Sequence, residues 1–178
     1  MGEDIARQYD ASSEHYDLRY KQIQFDKYGM ALSFLGGVEG DILDVGCGTG
    51  LLGEFLGRVI DGIDISRGML ERSKGRVRYV HGDARDLPYD DGTYDIVFSF
   101  TMLQNIKDYD QAIREIRRVM RRGGRCVLTY LNKEQYSGIG KSIDETFHVD
   151  HSFTHGEDVF YICSLSDCAD ISQKRAIE

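Results

Sequence analysis

The sequence predicts an α/β fold in which one doubly wound, mostly parallel β-sheet is covered by helices. From residue 41 onward, short apolar runs alternate with segments of helical periodicity, a pattern typical of βαβ units. A length of 178 residues with 41% hydrophobic content suits one core, and no repeat or linker interrupts the chain. We therefore expect a single domain over 1–178, with a helical cap (1–38), a ligand-binding core (39–131) and a C-terminal hairpin and tail (132–178).

Five apolar runs are the predicted parallel strands: DILDV (41–45), RVIDGIDI (58–65), VRYVH (77–81), YDIVFSF (94–100) and RCVLTYL (125–131). Before the last of them, apolar residues from Ala112 to Met120 recur at helical spacing, and Gly123-Gly124 predicts the cap that ends this helix. After a short linker, the runs TFHVDHSF and DVFYICSL, separated by THGE, predict a closing hairpin. Aromatic residues in the first 35 positions predict helices over the edge of the sheet: Tyr9, Tyr16, Tyr20, Phe25 and Tyr28.

Composition narrows the classes of function. A net charge of −8 argues against a protein that binds nucleic acid over its whole surface. The four cysteines form no CxxC pair, which predicts reduced thiols in a cytoplasmic protein. The N-terminus is polar, and no apolar run approaches the roughly 18 residues of a membrane span, so we expect no membrane association. Because the histidines near His151 straddle the predicted hairpin, we also expect no metal site.

The residues that end the predicted strands are the first candidates for a binding site, since ligands of doubly wound sheets bind beyond the carboxyl ends of the strands. Three of the first four strand ends carry a carboxylate. These positions are Asp44 with the loop glycines Gly46, Gly48 and Gly50, then Asp64, Asp83, and the pair Phe100-Thr101.

The glycine loop admits two interpretations. Residues 48–53 match the G-x-G-x-x-G pattern of dinucleotide-binding proteins, but the first glycine after the strand is Gly46, which puts the third glycine one position too early. A diphosphate also favours neutral or basic surroundings, whereas three aspartates favour a cation with ribose hydroxyls and an amine. S-adenosylmethionine has these groups and no phosphate. A nicotinamide-dependent oxidoreductase and a non-catalytic module that only binds S-adenosylmethionine stay open as alternatives.

Four blocks of sequence, taken in order, resemble the class I S-adenosylmethionine-dependent methyltransferases of the type 11 group. They are ILDVGCGTG, GIDIS, GDARDLPYDDGTYDIVFSF and REIRRVMRRGGRCVLTY, which together cover about residues 40 to 131. The resemblance implies a Rossmann-like, seven-stranded, mostly parallel sheet with an antiparallel C-terminal strand. Ahead of the core, YDASSEHYD resembles the group's N-terminal segment, in which an aromatic side chain, here Tyr9 or Tyr16, covers the cofactor.

The resemblance also implies roles for individual residues. Glycines 46, 48 and 50 would let the backbone approach the methionine part, with Asp44 supplying negative potential near the ammonium. Asp64 would accept hydrogen bonds from both ribose hydroxyls, and Asp83 from the adenine amine. The remaining residues that the resemblance places at the cofactor are Cys47, Ile65, Met69, Ala84 and Phe100.

The acceptor of the methyl group is less constrained. The fourth strand is not followed by Asn-Pro-Pro-Tyr, which argues against the kind of amide or adenine nitrogen methylation that uses this motif. No acidic residue ends this strand either, which argues against a magnesium site. No catalytic residue is assigned, but Gln104, Asn105 and Tyr16 are candidates to face the acceptor. The short insertion NKEQYSGIGKSIDE predicts a shallow site that suits a macromolecule.

RNA is one such acceptor, and two features point towards it. Several arginines crowd one helix and its exit, and they form either a stripe that faces phosphates or a solvated helix face. The stretch YDASSEHYDLRYKQIQ resembles the start of RNA-modifying methyltransferases that work with a small zinc-binding partner. The arginines of this stripe are Arg114, Arg117, Arg118, Arg121, Arg122 and Arg125.

Overall fold

The computed structural model describes residues 16–73 and 77–165. Within these residues, seven strands form one sheet in the order β3-β2-β1-β4-β5-β7-β6. Strand β7 pairs antiparallel with β5 and β6, and all the other pairings are parallel. The expected mostly parallel sheet with an antiparallel C-terminal strand is thus confirmed. The strands are β1 (Ile42–Val45), β2 (Ile60–Asp64), β3 (Val77–His81), β4 (Tyr94–Ser99), β5 (Met120–Leu131), β6 (His148–His155) and β7 (Asp158–Ser164).

Helices cover both faces of this sheet. They are α1 (Tyr16–Ser33), α2 (Leu51–Leu56), α3 (Arg67–Leu70), α4 (Tyr109–Val119) and α5 (Ser137–Thr146), with 3-10 turns at Leu103–Asn105 and Glu134–Tyr136. Because side chains alternate along a strand, Leu43 and Ile42 of β1 belong to different buried clusters. Leu43 packs with α4 and α5, and Ile42 packs with α1 and α2. No helix in the described ranges combines the length and apolar character that crossing a membrane requires.

The N-terminal helix differs from its expected position. We expected it at the edge of the sheet, but Tyr28 and Ala31 are buried in the cluster that includes Phe98 of the central strand β4. The ring of Tyr28 meets the ring of Phe55 edge to face at 5.6 Å between centroids. Aromatic burial against α2 therefore holds α1 on a face of the sheet, near the carboxyl ends of the strands. Tyr9 lies outside the described residues.

The Gly-Gly cap of α4 was predicted wrongly. The helix ends at Val119, because Met120 is already extended (φ −71°, ψ 135°) and pairs with Tyr94 of β4. The two glycines lie in an irregular part of β5, and a Cβ on Gly124 would approach the carbonyl oxygen of Arg121 to 2.7 Å. Gly124 thus allows a close approach of backbone, Gly123 has a positive φ of 71°, and neither ends the helix.

The segment between β5 and the hairpin was expected to be a short linker. It forms α5, whose Ile139 and Ile143 are buried against the cluster that contains α4. The predicted hairpin is confirmed, although its turn is tighter than THGE suggests, because His155 already pairs with Asp158. Gly156 allows this turn with a φ of 60°.

Candidate cofactor site

The glycine loop joins β1 to α2 and is held by backbone hydrogen bonds. The N–H groups of Gly46 and Cys47 both donate to the carbonyl of Ile63, at 2.8 and 3.1 Å. The three glycines at positions 46, 48 and 50 have φ values of 82°, 52° and 77°, a region that residues with a Cβ rarely adopt. The last of them, Gly50, precedes α2 as its N-cap. The glycines are therefore needed for the shape of the loop itself.

Asp64, the last residue of β2, ties this loop to the next one. Its Oδ2 accepts a hydrogen bond from the N–H of Gly48 at 2.9 Å, and its Oδ1 accepts from the N–H of Ser66 at 2.8 Å. The N-cap of α3 is Ser66, whose hydroxyl accepts from the N–H of Met69. Asp64 is thus a connector between two loops, and it retains acceptor capacity because a carboxylate has about four lone-pair sites.

Close packing also accounts for glycine at positions 62 and 46. A Cβ on Gly62 of β2 would meet Cys47 Sγ at 2.7 Å, so the buried thiol of the loop fills the space beside that glycine. A Cβ on Gly46 would meet the side chain of Met102 at 2.6 Å. The resemblance attributes Gly46 to the close approach of a ligand, whereas the described contact is with a protein side chain.

Asp44 lies beneath the loop and has only 4% of its surface exposed. Burial, and then the neighbouring negative charge of Asp64, raise its pKa from the ordinary 3.8 to about 8. Asp44 lines a small pocket together with Gln24 of α1, whose buried Oε1 finds no hydrogen-bond partner among the described residues. Asp44 and the amide of Gln24 therefore border the same small space.

Asp83 follows β3 and is not free of partners. The guanidinium of Arg85 donates to both of its carboxylate oxygens and lowers its pKa, and the N–H of Arg85 donates to Oδ1 at 2.9 Å. A ligand amine at Asp83 would share the carboxylate with Arg85. The sequence alone does not indicate this pairing.

A cavity of about 570 Å³ opens at the carboxyl ends of the strands. This is a volume typical of small-molecule sites. Asp44 and Cys47 line the small adjoining pocket, and Gly50 lines neither space. The sequence-predicted residues that the large cavity brings together are Tyr16, Gly46, Gly48, Asp64, Ile65, Met69, Asp83, Ala84, Phe100, Gln104 and Asn105.

Helix α1 contributes five lining residues that the sequence analysis did not assign to the site. Its contributions recur every three or four residues, which is the spacing of one helix face. That spacing was a usable signal, but the search for aromatic residues passed over the polar ones. The missed lining residues of α1 are Arg19, Tyr20, Ile23, Gln24 and Lys27.

The segment after β4 contributes the other end of the cavity. Gln104 donates its side-chain N–H to the carbonyl of Thr101 at 2.6 Å, so part of its amide stabilises the turn. Thr101 has a φ of 54° and is the one residue other than glycine with positive φ among the described residues. Asn105 lies in the following 3-10 turn and also lines the cavity.

The arginine stripe is largely occupied by contacts within the protein. Arg121 pairs with Asp95 and Asp41, and Arg125 donates to the carbonyls of Leu35 and Gly37. Arg118 makes an extensive network of its own. The interpretation of the whole stripe as a phosphate-facing surface is therefore wrong for these three residues, and Arg114, Arg117 and Arg122 remain exposed.

Arg118 is expected to stabilise the fold. Its guanidinium pairs with Glu115 at 2.7 Å and Asp91 at 2.8 Å, and it donates to the carbonyls of Leu87 and Tyr89. Replacing Arg118 by methionine should lower the free energy of unfolding by about 2–4 kcal/mol, because several charge-assisted hydrogen bonds are lost. Chemical denaturation measures this change.

The matched control is Arg117→Met, an exposed arginine of the same helix. It should change the free energy of unfolding by no more than about 0.5 kcal/mol. Equal effects of the two substitutions would contradict the assignment of a structural role to Arg118.

The fold and this cavity define a doubly wound α/β protein of the class that binds a nucleoside cofactor at the carboxyl ends of its strands. The model of the type 11 methyltransferase domain matches residues 43–128. A demethylmenaquinone methyltransferase of Staphylococcus aureus (strain MRSA252) is 34% identical over 142 residues, which cover 70% of this chain and 59% of that protein. The chain therefore contains, over residues 43–128, a methyltransferase domain of the type 11 group. It spans less than two thirds of the length of the curated relatives that it matches.

Solved structures share the fold. A structure from Methanococcus maripaludis, described as a candidate S-adenosyl-L-methionine-dependent methyltransferase, superposes with a TM-score of 0.79 at 19% identity, covering 93% of this chain and 95% of that one. A candidate methyltransferase solved in complex with the Trm112 methyltransferase activator of Haloferax volcanii gives a TM-score of 0.71 at 16% identity, covering 89% and 98%. At these identities the likeness establishes the fold alone.

Proposed function

We propose that the protein transfers the methyl group of S-adenosylmethionine to a small acceptor. The observation that carries this proposal is the glycine loop tied through the N–H of Gly48 to Asp64 at the wall of the cavity. A loop of three glycines with positive φ offers backbone groups to a ligand at close range, and Asp64 offers a carboxylate beside them.

The donor set fits this cofactor. We assign the ammonium to Asp44 and Gln24, which are both buried and line the small pocket. The ribose hydroxyls are assigned to Asp64, and the adenine to Asp83 with Ala84. Three carboxylates and an amide oxygen around one ligand favour a cation, and they disfavour the diphosphate of a nicotinamide dinucleotide.

When bound, S-adenosylmethionine supplies an activated methyl group: a lone pair of the acceptor forms the new bond to carbon while the old bonding pair returns to the sulfonium sulfur, leaving a neutral thioether. The residues of the chain hold the two reactants in line, and orientation of this kind can supply most of the acceleration. Helix α1 excludes water from one side, since Tyr16, Tyr20 and Ile23 line the cavity. We assign no general base.

We propose a small aromatic acceptor in place of the macromolecule that the short insertion suggested. Apolar residues outside the cofactor assignment also line the cavity, namely Ile23, Met102, Ile106 and Leu131, and they suit an apolar molecule. The Staphylococcus aureus relative is named for a quinone substrate, which supports the same class. An RNA acceptor loses the support of the arginine stripe.

A small activating partner is a second part of the proposal. The edge strand β3 leaves Tyr79 and Val80 exposed, and an edge strand can pair with another chain. A structural neighbour is solved with the Trm112 activator, which supports testing a partner of that kind. Co-expression with a small zinc-binding protein, followed by light scattering, tests for a stable one-to-one complex.

A cytoplasmic location belongs to the same proposal, because the described cysteines are free thiols.

The deciding experiment has two stages. Calorimetry with S-adenosylmethionine, S-adenosylhomocysteine and NAD should detect binding of the first two only, and binding of NAD alone would favour an oxidoreductase. Labelled methyl transfer is then measured separately with small-molecule, protein and RNA fractions of a cell extract. Binding without transfer to any fraction would favour a non-catalytic module.

Proton release on cofactor binding tests the assignment of Asp44. The free carboxyl has a pKa of about 8 and is mostly protonated at pH 7. An ammonium beside it favours the ionised form, so binding at pH 7 should release about one proton. Calorimetry in buffers of different ionisation enthalpy measures this number, and Asp44→Asn should bring it close to zero. The same value in both proteins would contradict the assignment.

The stability of the free protein gives an independent check on Asp44. Its pKa is higher in the folded chain than in the unfolded one, so the folded state binds the proton more tightly. The free energy of unfolding should therefore fall as the pH rises from about 4 to about 8, and Asp44→Asn should fall less steeply.

A further inference from the structure

A buried ion pair lies at the wall of the cavity, outside the residues assigned to the cofactor. Lys27 of α1 pairs with Asp158, the first residue of β7, at 2.6 Å between Nζ and Oδ2. The side chain of Lys27 is 12% exposed and that of Asp158 is 2% exposed. Lys27 lines the cavity, so its ammonium is held at the surface that a ligand would touch.

Thr101 completes this arrangement at the end of β4. Lys27 Nζ donates to its Oγ1 at 3.0 Å, and that hydroxyl donates to Asp158 Oδ1 at 3.1 Å. The N–H of Thr101 donates to Thr129 Oγ1 at 2.8 Å, which helps to hold the positive φ of Thr101. Backbone strain of this kind persists where the surroundings impose it, and it is concentrated at functional sites.

Two of the three N–H donors of the Lys27 ammonium have acceptors among the described residues, namely the carboxylate of Asp158 and the hydroxyl of Thr101. The third donor is available to a ligand in the cavity. An ion pair buried for stability alone offers little advantage over apolar residues of the same volume. Its position on the cavity wall therefore points to binding.

We propose that Lys27 binds an anionic oxygen of the methyl acceptor, and that the acceptor is an ionised phenol or enol. This inference rests on the proposed function. Ionisation makes the oxygen, or the carbon conjugated with it, nucleophilic, so the contact that binds the acceptor also favours its reactive form. Asp158 and Thr101 are positioning residues that aim the Lys27 ammonium at the acceptor.

The test compares two probes that differ in charge. The protein is saturated with S-adenosylhomocysteine and titrated at pH 7 with 2-hydroxy-1,4-naphthoquinone, an ionised enol, or with its neutral methyl ether. Lys27→Met should weaken binding of the enol at least ~10-fold, because a hydrogen bond between two charged groups is lost. Binding of the ether and of S-adenosylhomocysteine should change less than ~3-fold.

Lys21→Met is the matched control. Lys21 lies on the same helix and pairs with the carboxylate of Glu54, but it does not line the cavity. This substitution should leave the binding of both probes unchanged. Because Lys27→Met leaves a buried carboxylate without its partner, Lys27→Gln combined with Asp158→Asn serves as a second variant that removes both charges and keeps hydrogen-bonding groups. It should show the same selective loss of the enol.

Three results would overturn the inference. They are equal weakening of the two probes by Lys27→Met, undiminished binding of the enol in both Lys27 variants, and preference of the wild type for the ether. Failure of the wild type to bind S-adenosylhomocysteine would instead contradict the proposed function. The cofactor titration therefore separates the two failures.

Discussion

The substitution Gly48→Val is expected to abolish binding of S-adenosylmethionine while the protein still folds. Gly48 has a φ of 52°, lines the cavity, and donates its N–H to Asp64. A β-branched residue is strained at this φ, and its Cβ would approach Cε of Met69, another lining residue of the cavity, to 3.3 Å. We expect the dissociation constant to rise ~100-fold or more, with a loss of stability of about 1–3 kcal/mol.

Gly57→Val separates the effect on the site from the strain. Gly57 ends α2 with a φ of 64°, and a Cβ at this position would have no neighbour within 4 Å. The substitution should therefore reproduce the loss of stability without affecting cofactor binding. Calorimetry and chemical denaturation of both variants provide the comparison. Retained affinity in a folded Gly48→Val protein would mean that the cofactor lies elsewhere.

The parts of this fold that the sequence predicts well are those that depend on local pattern. Each parallel strand is an apolar run, and the ends of the first three are marked by glycine or aspartate, so the glycine loop, Asp64 and Asp83 could be placed at one edge of the sheet in advance. The prediction that Gly123-Gly124 caps α4 was wrong for the opposite reason. Met120 leaves the helix to pair with Tyr94 on a neighbouring strand, and this tertiary contact has no local signal.

The cluster of Lys27, Thr101 and Asp158 could not be predicted, because its residues come from distant parts of the chain. Lys27 and Thr101 are 74 positions apart, and Thr101 and Asp158 are 57 apart. None of the three belongs to a motif. The arginine stripe shows the same limit, since the carboxylates and carbonyls that bind Arg118 and Arg121 cannot be inferred from the charge pattern of one helix.

Removal of the Asp64 carboxylate is the second change for which we expect a large effect. Asp64→Ala should weaken binding of S-adenosylmethionine at least ~10-fold while the fold persists, because each hydrogen bond from a ribose hydroxyl to a charged group contributes about 1.5–3 kcal/mol. Loss of the bond to Gly48 should add to this effect. The control is Asp61→Ala on the same strand, where the carboxylate pairs with Arg78 outside the cavity.

We expect Asp64 to have two distinct functions, which can be separated experimentally. It holds the N–H groups of Gly48 and Ser66, and we expect it also to bind the ribose. The affinities of wild type and Asp64→Asn for S-adenosylhomocysteine and its 2′-deoxy analogue form a double-mutant cycle. If the carboxylate contacts the 2′-hydroxyl, the two changes should be non-additive by about 1 kcal/mol or more, because either change removes the same hydrogen bond. If Asp64 only holds the loop, the effects should add, and the ribose assignment would then be wrong.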